Sequence, residues 1–200
     1  LHPYYEELAL RHAEHGIAAV AIDYFARTAD SHQRDDHFDY QGHVAQLTWK
    51  GLEADVRAGF AFLASPEGGA PKAKFVTGFC MGGRLASDAA ILGLGFAGVI
   101  AFYGWPTGEH RSGSPSPADN ADKIECPVLA IYGGADQGIS ADVRDTYDAA
   151  LTKAGVEHRT VVYDGAPHSF FDRKASEFAE ASTAAWNEEL AFIKALTPTS

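Results

Sequence analysis

The chain has 200 residues, 46% of them hydrophobic, enough for one substantial core and hardly enough for two. Its formal net charge of −11 argues against nucleic acid or an anionic membrane as a partner held by bulk electrostatics. No apolar run approaches the roughly 20 residues of a membrane-spanning helix, and no basic-then-apolar leader is present, so a single domain over residues 1–200 is expected. The two cysteines, Cys80 and Cys126, fall in different elements and are expected unpaired, as in a reducing compartment.

In chain order, Tyr5, Leu8, Ala9 and His12 share one helical face, which gives a helix over about 4–15 ended by Gly16. Ile17 to Ile22 is a continuous apolar run bounded by that glycine and by Asp23, the pattern of a strand covered on both faces. Residues 28–42 are polar, with Arg34-Asp35-Asp36-His37 at their centre, and read as a loop over a site. Val44, Leu47, Leu52, Val56, Phe60 and Leu63 set one long amphipathic helix over about 43–65, stopped by the Pro/Gly stretch 66–71. Phe75-Val76-Thr77 is a short buried strand, and Gly98–Tyr103 another after an intervening helix. A Ser/Pro/Gly-rich loop over about 104–123 leads to a strand at Val128–Tyr132. Ser140 caps a helix running to Gly155, with Asp142 in its first turn, where negative charge suits the helix dipole. Arg159–Tyr163 is the last strand. A final helix over about 174–196 turns Phe178, Ala181, Ala185, Leu190 and Ile193 inward and its acidic residues to water. Strands alternating with helices make an α/β fold: a mostly parallel sheet with helices on both faces, in three layers.

The chemistry gathers where strands end. In Phe75-Val-Thr-Gly-Phe-Cys-Met-Gly-Gly-Arg84 a strand turns straight into a helix, with Gly78 and Gly82 two residues either side of Cys80. Such a turn leaves no room for flanking side chains and exposes its apex residue at the end of the sheet, the nucleophile-elbow arrangement, here with Cys. Asp136 follows the Val128–Tyr132 strand in Gly133-Gly-Ala-Asp136, and His168 follows the last strand in Asp164-Gly-Ala-Pro-His-Ser-Phe170. Nucleophile, acid and histidine in that chain order, each just past a strand, match an α/β-hydrolase triad. His168 would take the thiol proton, and Asp136 would fix the imidazole tautomer. The helix N-terminus would favour the thiolate, and the Met81 N–H would donate to an oxyanion.

Other patterns carry less. Gly93-Leu-Gly-Phe-Ala-Gly98 matches a dinucleotide fingerprint by letter, but it follows a helix and precedes a strand, the reverse of what phosphate binding needs. His12 with His15, and His37 with His43, lack further ligands at metal-binding spacing, so no metal is expected. Cys126, before Pro127 at a strand entrance, reads as structural.

Gly-Phe-Cys-Met-Gly-Gly-Arg at 78–84, Phe-Tyr-Gly at 102–104, Tyr-Gly-Gly-Ala-Asp at 132–136 and Gly-Ala-Pro-His-Ser-Phe at 165–170 together resemble the dienelactone hydrolase family, over nearly the whole chain from residue 4. The resemblance implies an α/β-hydrolase fold and a Cys80–His168–Asp136 triad. It further implies hydrolysis of a small lactone or ester without a cofactor, in the cytoplasm, by a monomer or weak homodimer. It places Tyr103, Phe170 and Arg173 in contact with substrate. The family's first strands, one of which carries a second oxyanion N–H and a Glu partner of the resting Cys, are not located in this sequence, so an N-terminally truncated domain is expected. A broad-specificity carboxylesterase or thioesterase, and a non-catalytic binding module of the same fold, are the alternatives.

Overall fold

The computed structural model describes residues 1–35 and 37–199; Asp36, at the centre of the polar 28–42 stretch, lies outside the described residues. The chain divides into two compact units, Leu1–Pro71 with His110–Ser114, and Lys72–Glu109 with Pro115–Ser200.

The first unit is built from helices. Helix α1 spans Pro3–Glu14; the His2 ring accepts the Tyr4 N–H, and Pro3 sits where its missing donor costs nothing. Leu8 and His12 are its buried residues. The run Ile17–Ile22, expected as a strand, forms none, and Ala18, Ala19 and Val20 are exposed. An apolar run becomes a strand only beside a neighbour that completes its backbone hydrogen bonds. No segment of this unit pairs with it among the described residues. The single helix expected over 43–65 is two, α2 at Gln41–Val44 and α3 at Trp49–Ala64. Thr48 separates them: its backbone is extended and its hydroxyl accepts the Gly51 N–H at 3.2 Å, an N-cap that starts a new helix rather than continuing an old one.

The second unit holds the sheet. Its elements are β1 Phe75–Phe79, α4 Met81–Ala90, β2 Gly98–Phe102, β3 Val128–Gly133, α5 Ala141–Ala154, β4 His158–Tyr163 and α6 Ala179–Leu196. The four strands lie in the order β1-β2-β3-β4, every pair parallel. All residues of β2 and β3 are buried. Because successive side chains of a strand point to opposite faces, both faces of the sheet are covered there. Ala86 and Ala90 of α4, Val99, Val128, and Tyr147 and Leu151 of α5 form a core cluster with Ile124 and Cys126. Helix α5 ends at Gly155 in the left-handed region (φ 72°); Ser140 occupies its N-cap position, but its hydroxyl accepts no capping hydrogen bond from the first turn. Helix α6 begins later than expected, because residues 169–178 close on themselves in turns such as Lys174 N–H to the Ser169 carbonyl. No helix among the described residues is long and apolar enough to cross a membrane.

Candidate active site

Parallel strands in register bring their carboxyl ends to one edge: Phe79 lies opposite Phe102, Phe102 opposite Ile131, and Gly133 opposite Tyr163. The residues just past those ends are therefore neighbours.

Past β1 the chain reverses within one residue. Cys80 has φ 55° and ψ −117°, and Met81 already begins α4. A Cβ on Gly78 would lie 2.0 Å from the Gly82 carbonyl oxygen, so only glycine allows strand and helix to approach this closely. The turn is held by Cys80 N–H to the Phe102 carbonyl (3.0 Å) and Arg84 N–H to the Cys80 carbonyl (3.1 Å). The Cys80 thiol is exposed. The N–H of Met81, at the first position of α4, has no intrahelical acceptor and is available to an anion.

Past β3, Asp136 is buried, and each of its oxygens has a task. Oδ1 accepts the N–H groups of Gly138 (2.8 Å) and Ile139 (3.1 Å); Oδ2 lies 2.7 Å from His168 Nδ1, past β4. A carboxylate so fixed makes Nδ1 the protonated nitrogen and leaves Nε2 for another partner. His168 is half-buried, and its pKa is raised to about 9. The hydrogen-bonding Cys80 side chain is the largest cause, burial opposes it, and Asp136 adds a smaller rise.

Backbone strain gathers at the same edge. Of the four described non-glycine residues with positive φ, Cys80 (55°), Tyr103 (37°) and Ser169 (60°) follow β1, β2 and β4; the fourth, Ala70, lies in the Pro/Gly stretch. Each strained residue costs on the order of 1–3 kcal/mol, and such residues persist where the surrounding packing fixes them. Here that packing is aromatic. Phe79, Phe102 and Phe171 meet with centroids 4.7–5.4 Å apart, Phe171 continues to Trp186 of α6 at 6.4 Å, and Tyr103 sits 5.0 Å from the His168 ring.

The sequence-derived residues thus separate. Cys80, Asp136 and His168 come together at the strand ends. Tyr103 and Phe170 are both fully buried with their rings 5.7 Å apart; Tyr103 lies against the imidazole, Phe170 packs behind Tyr103, and neither presents surface to a ligand. Arg173 is exposed in the turns beyond Phe171, its backbone N–H on Asp172. Phe79, Phe171 and Arg84 were missed as parts of the site, although all three stand inside or beside the motifs that flagged it. No group of three or more His, Cys, Asp or Glu among the described residues could hold a metal ion.

Residues 4–197 match the model of the dienelactone hydrolase family. The chain belongs to that family. A candidate carboxymethylenebutenolidase of Escherichia coli K12 is 30% identical over 199 residues, which cover 97% of this chain and 72% of the relative. One from Methylorubrum extorquens is 33% identical over 193 residues, covering 93% and 65%. Among solved structures, a candidate dienelactone hydrolase from Klebsiella pneumoniae superposes with a TM-score of 0.80 at 29% identity, covering 96% of this chain and 81% of that one. A dienelactone hydrolase-like promiscuous phosphotriesterase from metagenomic libraries shares the fold, with a TM-score of 0.75 at 23% identity over 98% of this chain and 81% of its own. As a dienelactone hydrolase family member, the chain is a hydrolase acting on carboxylic ester bonds.

Proposed function

We propose that Cys80, His168 and Asp136 hydrolyse a small lactone or ester through an acyl-enzyme. One observation carries the reading: a buried, fully hydrogen-bonded Asp136 lies 2.7 Å from Nδ1 of His168, whose imidazole hydrogen-bonds the Cys80 side chain at the end of β1. The proton shared by Cys80 and His168 rests on Nε2, where the raised imidazole pKa keeps it, and the sulfur attacks the ester carbonyl, whose oxygen becomes an anion facing the Met81 N–H at the start of α4. As the tetrahedral intermediate collapses, His168 gives its proton to the departing alkoxide and a thioester remains on Cys80. His168 then takes a proton from water, which attacks the thioester; the carboxylic acid leaves and the hydrogen-bonded Cys80–His168 pair is restored. Asp136 holds the ring and stabilises its charge throughout, without itself taking the proton. None of these steps calls for a cofactor, and we read the chain as a cytoplasmic monomer or weak homodimer acting on a small molecule.

Aryl esters and a dienelactone test this with the Cys80→Ala and His168→Ala variants. Each should lose on the order of 10³-fold or more in kcat, with acylation by a thioester-trapping reagent absent in Cys80→Ala. Turnover by Cys80→Ala at the wild-type rate would end the proposal.

A further inference from the structure

Arg84 is almost fully buried one turn into α4, an expensive place for a guanidinium. Its Nε faces both oxygens of Asp88 at 3.0 and 3.1 Å, and Asp88 is itself completely buried. The rest of the fork points at the backbone beyond β2. Nη1 donates to the carbonyls of Trp105 (3.1 Å) and Thr107 (3.4 Å), and Nη2 to those of Gly108 and Pro115, both 2.9 Å. Four carbonyls from the two ends of one loop converge on a single planar cation. The backbones beside it touch: a Cβ on Gly104 would lie 2.4 Å from the Arg84 nitrogen. Lysine, a point charge with three donors on a flexible stem, could not fill this arrangement. A buried ion pair is a poor way to gain stability over apolar residues of the same size, which directs attention to what the fork holds in place.

It holds Trp105. Trp105 is 43% exposed, yet held at both ends: its backbone carbonyl accepts from Arg84 and its indole Nε1–H donates to the Thr107 hydroxyl at 3.0 Å. The six-membered ring rests beside Gly138, where a Cβ would meet its Cζ3 at 3.9 Å, and the Gly138 N–H is one of the two that hold the Asp136 carboxylate. On its other side Trp105 follows, by two residues, the Tyr103 whose ring lies against His168. A rigid apolar face thus stands at the rim of the triad. An open aromatic held this firmly offers area to a ligand at little entropic cost.

We propose that Trp105 is a specificity-determining residue that packs against an alkyl or aryl group of the ester, and that Arg84 is the positioning residue that sets it there. The proposal rests on the triad reading above, and its test separates the two. Wild type, Trp105→Ala, Arg84→Met and the charge-balanced Arg84→Met/Asp88→Leu are assayed with 4-nitrophenyl acetate and 4-nitrophenyl hexanoate. Losing the apolar wall should raise KM for the hexanoate by about tenfold, more than it changes kcat, with a smaller effect on the acetate. In the double variant the same KM shift should come with faster tryptic cleavage after the exposed Arg111, because the loop is no longer fastened. Binding is measured without turnover by calorimetric titration of hexanoyl 4-nitroanilide into Cys80→Ala and Cys80→Ala/Trp105→Ala. If both bind it equally tightly, or if the folded double variant keeps the wild-type KM ratio and trypsin resistance, the assignment is wrong. A wild type inert to both esters would overturn the triad reading alone, and the titration would still decide the role of Trp105.

Discussion

Val128–Gly133 and Ile17–Ile22 are nearly the same kind of sequence, six residues of unbroken apolar or small character between turn signals. In the sheet-bearing unit the first of these is β3, with β2 on one side, β4 on the other and every residue buried. In the helical unit the second has no ladder, and its middle residues face solvent. The difference lies in the neighbours, not the letters. A hydrophobic run states a need for burial; it becomes a strand only where adjacent strands satisfy its N–H and C=O groups and helices cover its faces. The parallel ladder also puts the turns after its strands at one edge, and the candidate chemistry follows from that.

This contrast implies very unequal tolerance to substitution. The largest effect belongs to the elbow at the end of the ladder. Gly78→Ala sets a Cβ 2.0 Å from backbone and should cost more than about 4 kcal/mol or abolish soluble expression, as severe backbone clashes do. Gly42→Ala in α2 meets nothing within 4 Å and should instead raise stability by about 0.5–1 kcal/mol through helix propensity. Urea denaturation reads both, and equal effects would break the comparison. Next come the runs themselves. Leu129→Ala in the middle of β3 should cost about 2–5 kcal/mol by leaving a core cavity. Val20→Ala in the unpaired run should stay within about 0.5 kcal/mol, since its side chain is already 37% exposed. A comparable loss at Val20 would show that the run is buried in solution.

What the sequence revealed follows the same division. The four strands of the ladder were legible because each is a short apolar run between punctuating glycines, prolines or charges, and Cys80, Asp136 and His168 were legible because each ends one of them. Period and turn chemistry are local signals. Illegible were features that depend on a partner far along the chain. Nothing in Ile17–Ile22 tells that it lacks a ladder neighbour. Thr48 hides an N-cap inside a continuous amphipathic pattern, because the apolar spacing carries on across the break. Arg84 stands in the sequence only as the last residue of the elbow motif, and nothing beside it tells that four carbonyls of a loop more than twenty residues later close around it. Tyr103 and Phe170 sit in the expected motifs, yet both are fully buried among aromatic neighbours from the ends of β1, β2 and β4, Phe79 among them.

The smallest effect separates a strand-end turn from the strand before it by charge. His168 holds its proton to about 9 in the folded chain, against an ordinary histidine value near 6.5 when unfolded. A raised folded-state pKa contributes stability that is fully present below about 6.5 and is lost as the pH climbs through about 9. The urea midpoint of wild type relative to His168→Asn should therefore be more favourable at pH 6 than at pH 9.5. The gain is modest, because 37% of the imidazole is open to screening solvent. Histidine NMR titration separates the causes. Since the Cys80 sulfur contributes most and Asp136 less, Cys80→Ala should lower the His168 pKa further than Asp136→Asn does. The opposite order, or a wild-type His168 that titrates near 6.5, would mean that sulfur and imidazole do not share a proton at the end of β1, and the strained turn at Cys80 would lose its electrostatic reason.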